Sequence, residues 1–319
     1  MLRPRSMATL QPLHTALIVL ATANSLALCV VHPTRSLAQT PCEESPTTCA
    51  ERLDPETARG LGLGLGLRAA TLATSALAYN PAALSNGKLY HAEGSADYLD
   101  DVDTFALGAA IAESHPSQVS AGVAARGFLS GDDGGYHGWD GRIALGVPVS
   151  DQFSLGVAGR YMSVGTEVRD ENTGELNDVE LTEGFSFDAS LRFAIGQAVQ
   201  VSAMAYNFFG ADSPLRPRLA GLSMAFVPTP KLAIGVDALF DLDTFSTTEK
   251  TLGAAAELLL GKYFPVRAGY VWDDPRDLHF VTFGLGYTSP TAAVDLGVRQ
   301  GVIGHHNTRI LTSLRLSVY

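Results

Sequence analysis

The 319-residue chain is 46% hydrophobic, only 17% charged, and carries a formal net charge of −11 at pH 7. It is too poor in charge for a disordered chain and too long for a small module. The acidic balance argues against nucleic acid as a partner.

At the N-terminus, Arg3 and Arg5 precede an apolar stretch from Ala16 to Val31, and Ser36-Leu37-Ala38 follows as a small-x-small cleavage site. Residues 1–38 are therefore read as a secretory signal. A membrane anchor is the other reading, but Thr22, Asn24 and Ser25 interrupt a run that is already short for a spanning helix. Leu28 stands where a lipoprotein site before Cys29 needs a small residue. Residues 39–57 form a polar periplasmic leader with Cys42 and Cys49. In an exported chain two such thiols most simply pair. A metal site is the rival, with no His nearby. Beyond residue 38 no apolar run approaches the ~20 residues of a membrane helix.

Residues 58–86 are almost uncharged. A Gly-rich Leu segment, Leu61 to Leu67, leads through Arg68-Ala69-Ala70 and a small-residue run to Ala78-Tyr79-Asn80-Pro81-Ala82-Ala83-Leu84. A helix should break at Asn80-Pro81, yet the apolar character resumes at once.

From residue 87 onward, apolar and polar or tiny residues alternate for eight to twelve positions between turn clusters. Leu232, Ile234, Val236, Ala238 and Phe240 share one face of such a segment, and Phe185, Phe187, Ala189, Leu191, Phe193 and Ile195 share one face of another. This is strand periodicity. It predicts about fourteen strands, near 87–99, 102–114, 117–129, 138–149, 152–165, 183–196, 198–209, 217–228, 231–243, 248–261, 263–273, 277–289, 292–301 and 307–319. Tight turns such as Val149-Ser150-Asp151 and Pro228-Thr229-Pro230 alternate with longer polar connections, among them 130–137, 166–182 and 302–306. Even strand number, strand length and alternating connections predict an all-β fold, a transmembrane antiparallel β-barrel of the outer-membrane type over 87–319. Closure leaves no unpaired sheet edge in lipid.

The strand phases turn Arg126, Arg142, Arg160, Arg192, Arg267, Arg299, Arg309 and Arg315 inward, together with Asp188, Asp237, Asp241, Glu257 and Asp295. At mid-membrane each Arg facing lipid would cost about 2–4 kcal/mol. Mutual neutralisation of a structural lining is one reading of this set, and an anion-selective or substrate path is the other. Gly and Ala at further inward positions leave volume whose use depends on residues 58–86.

The order of Gly-rich Leu segment, Arg68-Ala69-Ala70 and Ala78-Tyr79-Asn80-Pro81-Ala82-Ala83-Leu84 resembles the N-terminal signature of the FadL-like long-chain fatty-acid transporter superfamily, closest to the branch that includes PorV and PorQ. The resemblance implies a fourteen-stranded barrel with a hatch segment inside or under it. It assigns hatch or gating roles to Arg68, Tyr79, Asn80, Pro81 and Ala82. It also implies diffusion of a small hydrophobic ligand, such as a fatty acid, through a hatch-gated lumen and out laterally. The PorV-like alternative is a docking or shuttle subunit for exported proteins, without small-molecule transport. A periplasmic cap that never enters the lumen is the other reading of 58–86. The chain departs from fatty-acid transporters in its shorter length and its short, acidic outer loops, and Tyr319 is out of phase with Leu314, Leu316 and Val318.

No enzyme, cofactor or metal is expected. His305-His306 lacks a completing carboxylate pair, Asp132-Asp133-Gly134-Gly135 with His137 reads as solvated loop, and Leu61-Gly62-Leu63-Gly64 lacks the strand–turn–helix context of a dinucleotide loop. Arg276 beside Asp273-Asp274 reads as loop ion pairing. Aromatic residues near strand ends, including Tyr136, Trp139, Tyr161, Tyr206, Phe208, Phe209, Tyr270 and Trp272, fit interfacial girdles. The expected partners are outer-membrane lipid, the barrel-assembly machinery during biogenesis and a small hydrophobic ligand. The expected state is a monomer in the outer membrane of a Gram-negative bacterium.

Overall fold

The computed structural model describes residues 52–318 except 66, 88–89, 115–117, 131–133, 171–172, 174, 197, 211–212, 214, 246–247 and 305–306. The expected signal segment, Cys42, Cys49, Asp132, Asp133, His305, His306 and Tyr319 lie outside the described residues. Fourteen strands close on themselves: β1 (Tyr90–Leu99), β2 (Thr104–Glu113), β3 (Ser120–Ser130), β4 (Tyr136–Pro148), β5 (Phe153–Arg169), β6 (Leu176–Ile195), β7 (Val199–Phe208), β8 (Leu219–Thr229), β9 (Leu232–Asp241), β10 (Glu249–Leu260), β11 (Phe264–Asp273), β12 (Leu278–Thr288), β13 (Ala292–Ile303) and β14 (Thr308–Val318). Every neighbouring pair is antiparallel. The seam is β1 on β14, in register from Tyr90 opposite Val318 to Leu99 opposite Arg309.

Alternation decides which face each residue takes. Phe185, Phe187, Leu191 and Phe193 of β6 are exposed outward, while Ser186, Asp188, Ser190 and Arg192 between them are buried. The same holds for Leu222, Met224 and Phe226 of β8 and for Val281, Phe283 and Leu285 of β12. So continuous an apolar outer surface needs a bilayer to cover it. The first strand starts and the last strand ends at one rim, here the turn end, where Tyr90 faces Val318, and the longer connections lie at the opposite rim, the loop end.

One expected loop is not a loop. Residues 166–182 were expected to connect strands, but β5 and β6 pair through Arg169 opposite Leu176 beyond a bulge at Val164 and Gly165. These residues are polar on both faces and so lose the alternation of a bilayer strand. Thr166, Val168, Val179 and Thr182 nonetheless suit an extended backbone, and the hairpin projects past the loop end.

Candidate functional site

The described residues of 52–86 lie against the inward faces of the strands. They begin at the loop end, where the Leu53 amide donates to the Leu215 carbonyl at 3.0 Å. Leu53 is buried there with Leu99, Phe128, Tyr136, Met162, Val164 and Leu215. The leader's last residues thus belong with this inner segment. Tyr136 faces inward, contrary to its expected place in an aromatic girdle. Thr57 caps the short helix α1 (Ala58–Gly62), its Oγ1 accepting from the Gly60 amide at 3.1 Å.

The Gly-Leu repeat then runs around the wall, about two residues per strand. A Cβ added at Gly297 of β13 would lie 2.3 Å from the Ala58 carbonyl oxygen. Farther on, Gly284 of β12 abuts Gly62, Gly269 of β11 abuts Leu63, Gly253 of β10 abuts Leu65 and Gly235 of β9 abuts Leu67. Five successive strands present a glycine because any side chain there would displace the segment. The volume ascribed to these inward glycines is therefore filled by backbone.

On β8, β7 and β6 the seats are serines. Ser223 Oγ accepts from the Ala69 amide at 2.8 Å, Ser202 Oγ from Asn80 Nδ2 at 2.9 Å, and Ser190 Oγ from the Ala82 amide at 2.8 Å. Between these contacts lies α2 (Ala73–Tyr79), buried throughout. Pro81 opens a 3-10 turn, Pro81–Asn86, where its missing N–H costs nothing. Asn80 is fully buried, and its Nδ2 also donates to the Arg68 carbonyl at 3.0 Å. Asn80 thus ties the two sides of α2 together across the break. Asn80→Ala is expected to cost about 1–3 kcal/mol by stranding the Arg68 carbonyl and Ser202 hydroxyl, read as a lower urea midpoint of barrel refolded in lipid vesicles.

Arg68 is 4% exposed, lies between the rings of Tyr79 and Tyr206 at 4.9 and 5.5 Å, and donates to the Tyr206 hydroxyl at 3.0 Å. Its amide donates to Asp237 at 3.4 Å. Tyr79 donates to Glu56 at 2.6 Å, and Tyr206 donates to the Tyr79 carbonyl. All five expected hatch residues, Arg68, Tyr79, Asn80, Pro81 and Ala82, therefore meet one another or the same stretch of wall. Tyr206, expected in a girdle, faces inward in this cluster.

The lumen charges form two chains. Toward the loop end, Arg309 pairs with Asp97 across the seam at 2.6 Å, Arg126 bridges Asp97 and Asp140 at 3.8 and 3.3 Å, and Arg160 holds Asp140 at 2.9 Å. Arg142 pairs with Asp188 at 2.5 Å. Nearer the turn end, Glu257 accepts from Arg59 at 2.9 Å and from Arg267 at 2.6 Å, and Arg267 also reaches Asp295 at 2.6 Å. Arg315 bridges Glu93 and Asp295 at 3.9 Å each. Arg299 lies over the Phe280 ring at 4.7 Å, and Arg192 donates to the Ala69 carbonyl at 3.3 Å. Most of the expected lumen set is thus a paired lining that also grips the inner segment. In the last long loop but one, Arg276 pairs with Asp273 at 3.1 Å as expected. Among the described residues no group of three or more His, Cys, Asp or Glu could hold a metal.

Space remains in the lumen, at the turn end and outside the wall. Cavities of about 70, 50 and 10 Å³ lie around residues 54–57 in the lumen. A vestibule of about 620 Å³ opens at the turn end under Ala70, Leu72 and Ala73. Outside the wall, an apolar groove of about 540 Å³ is formed by Ile143, Leu145, Val157, Phe187, Phe208 and Phe209. There the β6–β7 ladder breaks: Phe187 opposes Phe208 but Ala189 opposes Ala205. Asn207, at φ 58°, bulges inward, its amide donating to Asp188 at 2.7 Å and its side chain to the Pro217 carbonyl at 2.8 Å. Asp188 borders both the groove and the small cavity at Arg68, Tyr79 and Tyr206.

No protein-family model matches the sequence, and neither does any curated protein. Solved structures do share the fold. The Ralstonia pickettii toluene transporter TbuX superposes with a TM-score of 0.61 at 12% identity, over 84% of this chain and 99% of that one. A FadL homologue of Pseudomonas aeruginosa gives 0.60 at 13%, over 82% and 97%. The Pseudomonas putida toluene transporter TodX gives 0.59 at 12%, over 83% and 98%. The barrel thus has the FadL-like fold. These structures give no support to the PorV- and PorQ-like branch.

Proposed function

We propose that the protein is an outer-membrane channel for small hydrophobic molecules, with residues 58–86 as its hatch and the wall beside Asn207 as the point of exchange with the bilayer. The observation that carries this reading is the apolar groove that reaches Asp188 through the broken β6–β7 ladder. A hydrophobic molecule in the outer leaflet meets Phe187, Phe208 and Phe209 there without first crossing the charged lumen. The fold shared with toluene transporters and a FadL homologue supports the same class of cargo. Fatty acids and monoaromatic hydrocarbons are the substrates to test first. No covalent chemistry is involved.

The docking-subunit reading is favoured by one observation, the filling of the lumen around residues 54–57, where the cavities are no larger than about 70 Å³. Uptake separates the two. Cells making the protein should take up a labelled long-chain fatty acid or toluene faster than cells lacking it. Ala189→Trp, which fills the outer groove without touching the lumen, should return uptake most of the way to background at equal surface assembly. Wild-type uptake no faster than background ends the transport reading for those substrates, and partner capture then becomes the test.

A further inference from the structure

The β5–β6 hairpin carries a stretch of sheet edge with a strand on one side alone. β6 starts at Leu176, but its ladder with β7 starts at Phe187, opposite Phe208. Nearest the barrel the connection after β7 covers this edge, Ser213 Oγ donating to the Leu181 carbonyl at 3.4 Å and Arg216 Nη1 to the Gly184 carbonyl at 2.6 Å. Among the described residues, 176–180 of β6 pair with β5 and with no other strand. Two hydrogen bonds fix where their backbone groups point. The Asp170 amide donates across the hairpin to the Glu175 carbonyl at 2.8 Å, whereas the Glu167 carbonyl accepts from the Gly134 amide, outside the hairpin, at 2.9 Å. Inward and outward positions alternate along an antiparallel pair. Leu176, Asp178 and Glu180, opposite Arg169, Glu167 and Gly165, therefore turn their N–H and C=O groups away from β5. A row of this kind is a template for one more strand.

Leu176 and Val179, on opposite faces of the hairpin, are both exposed, and an added strand would cover part of each. Charge selects that strand. Residues 166–183 hold seven acidic residues against Arg169 alone. Asp178 meets His137 at 3.1 Å, while Glu167, Glu175 and Glu180 have no basic partner among the described residues. A second copy of this chain would set the same acidic row against itself, and like charges facing across a ladder are destabilising. The chain's own residues 39–51 carry Pro41, Pro46, Glu43, Glu44 and Glu51, which interrupt strand pairing and repeat the charge already present. We infer that the hairpin edge docks an extended, lysine- or arginine-rich segment of a partner protein. Its backbone pairs with Leu176, Asp178 and Glu180, and its cations meet Glu175 and Glu180, one on each face. The site lies outside the lumen and does not rest on the channel reading.

Fluorescence anisotropy with the purified full-length barrel in detergent tests this. The probe is a labelled ten-residue peptide alternating lysine and threonine. It should bind, its counterpart with glutamate for lysine should not, and a peptide of the same charge interrupted by prolines should bind about tenfold more weakly, having lost the backbone pairing. Glu175→Lys with Glu180→Lys, both at exposed positions, should weaken the first peptide about tenfold, since two ion pairs are lost and two repulsions gained. Asp178→Pro removes an outward N–H while leaving the β5–β6 ladder its donors, and should weaken binding by a similar factor. Equal binding of the uninterrupted and proline-interrupted peptides would mean charge attraction without strand addition and overturns the proposal. So does an affinity that neither the double lysine variant nor Asp178→Pro changes.

Discussion

Asp140→Ala is expected to destabilise the barrel by about 3–5 kcal/mol, the cost of leaving buried charge without its counter-ion. Asp140 is 5% exposed and holds two arginines. Arg160 donates to both of its oxygens, at 2.9 Å each, and to the Leu53 carbonyl at 2.5 Å, while Arg126 reaches it at 3.3 Å. Removing the carboxylate strands Arg160 in a site where it is almost fully enclosed. Arg126 retains Asp97 at 3.8 Å, but Asp97 already serves Arg309 across the seam. The loss should therefore spread to barrel closure and to the anchoring of Leu53. Urea unfolding in vesicles would show it as a lowered midpoint. The pair Asp140→Leu with Arg160→Met should recover much of the loss, because it removes both charges together. If Asp140→Ala fell within about 0.5 kcal/mol of wild type, the lining would be too wet for the pairing to matter.

The fold was largely legible because alternation states which face each side chain takes, and lipid makes the distinction expensive. The fourteen strands fall close to where that alternation places them, β5 and β6 running on through part of the expected loop 166–182, and Arg142, Arg160, Arg192, Asp188, Asp237 and Asp295 are buried inward as their phases require. What alternation lacks is partners. It turns Arg126 and Arg160 inward without saying that they share Asp140, which the sequence reading left out, since the partner is set by barrel shear and strand tilt. Aromatic residues near strand ends misled for a related reason. Counting from Ser202 through Met204 puts Tyr206 inside, but proximity to the end suggested an interface. The glycines were the hardest to read. Gly297, Gly284, Gly269, Gly253 and Gly235 look like unused volume in a strand pattern, and only the path of Leu61 to Leu67 shows that they are seats for a backbone. The break at Asn207 carries no sequence signal beyond an Asn able to adopt positive φ.

Gly156→Val should loosen the inner segment while the outer wall remains assembled. Gly156 of β5 faces Pro81 and Ala82, and a Cβ there would lie 2.1 Å from the Ala82 nitrogen and 2.3 Å from the Pro81 carbonyl carbon. Both obstacles are backbone, so no rotamer change relieves the clash. The Ala82 amide would also leave Ser190, and Asn80, two residues earlier, would be drawn away from Ser202. Overpacking of this kind costs about 1–3 kcal/mol, and here the softer side of the clash is the segment, since β5 is clamped on both edges by β4 and β6. Vesicles carrying the variant should therefore admit small hydrophilic solutes in a swelling assay faster than vesicles carrying wild type. Gly94→Val is the control, because a Cβ at Gly94 meets nothing within 4 Å, and it should leave swelling unchanged. A Gly156→Val barrel that assembles fully and swells like wild type would mean that residues around Pro81 are not what closes the lumen, and the hatch role would have to pass to the strap at Leu53 and Glu56.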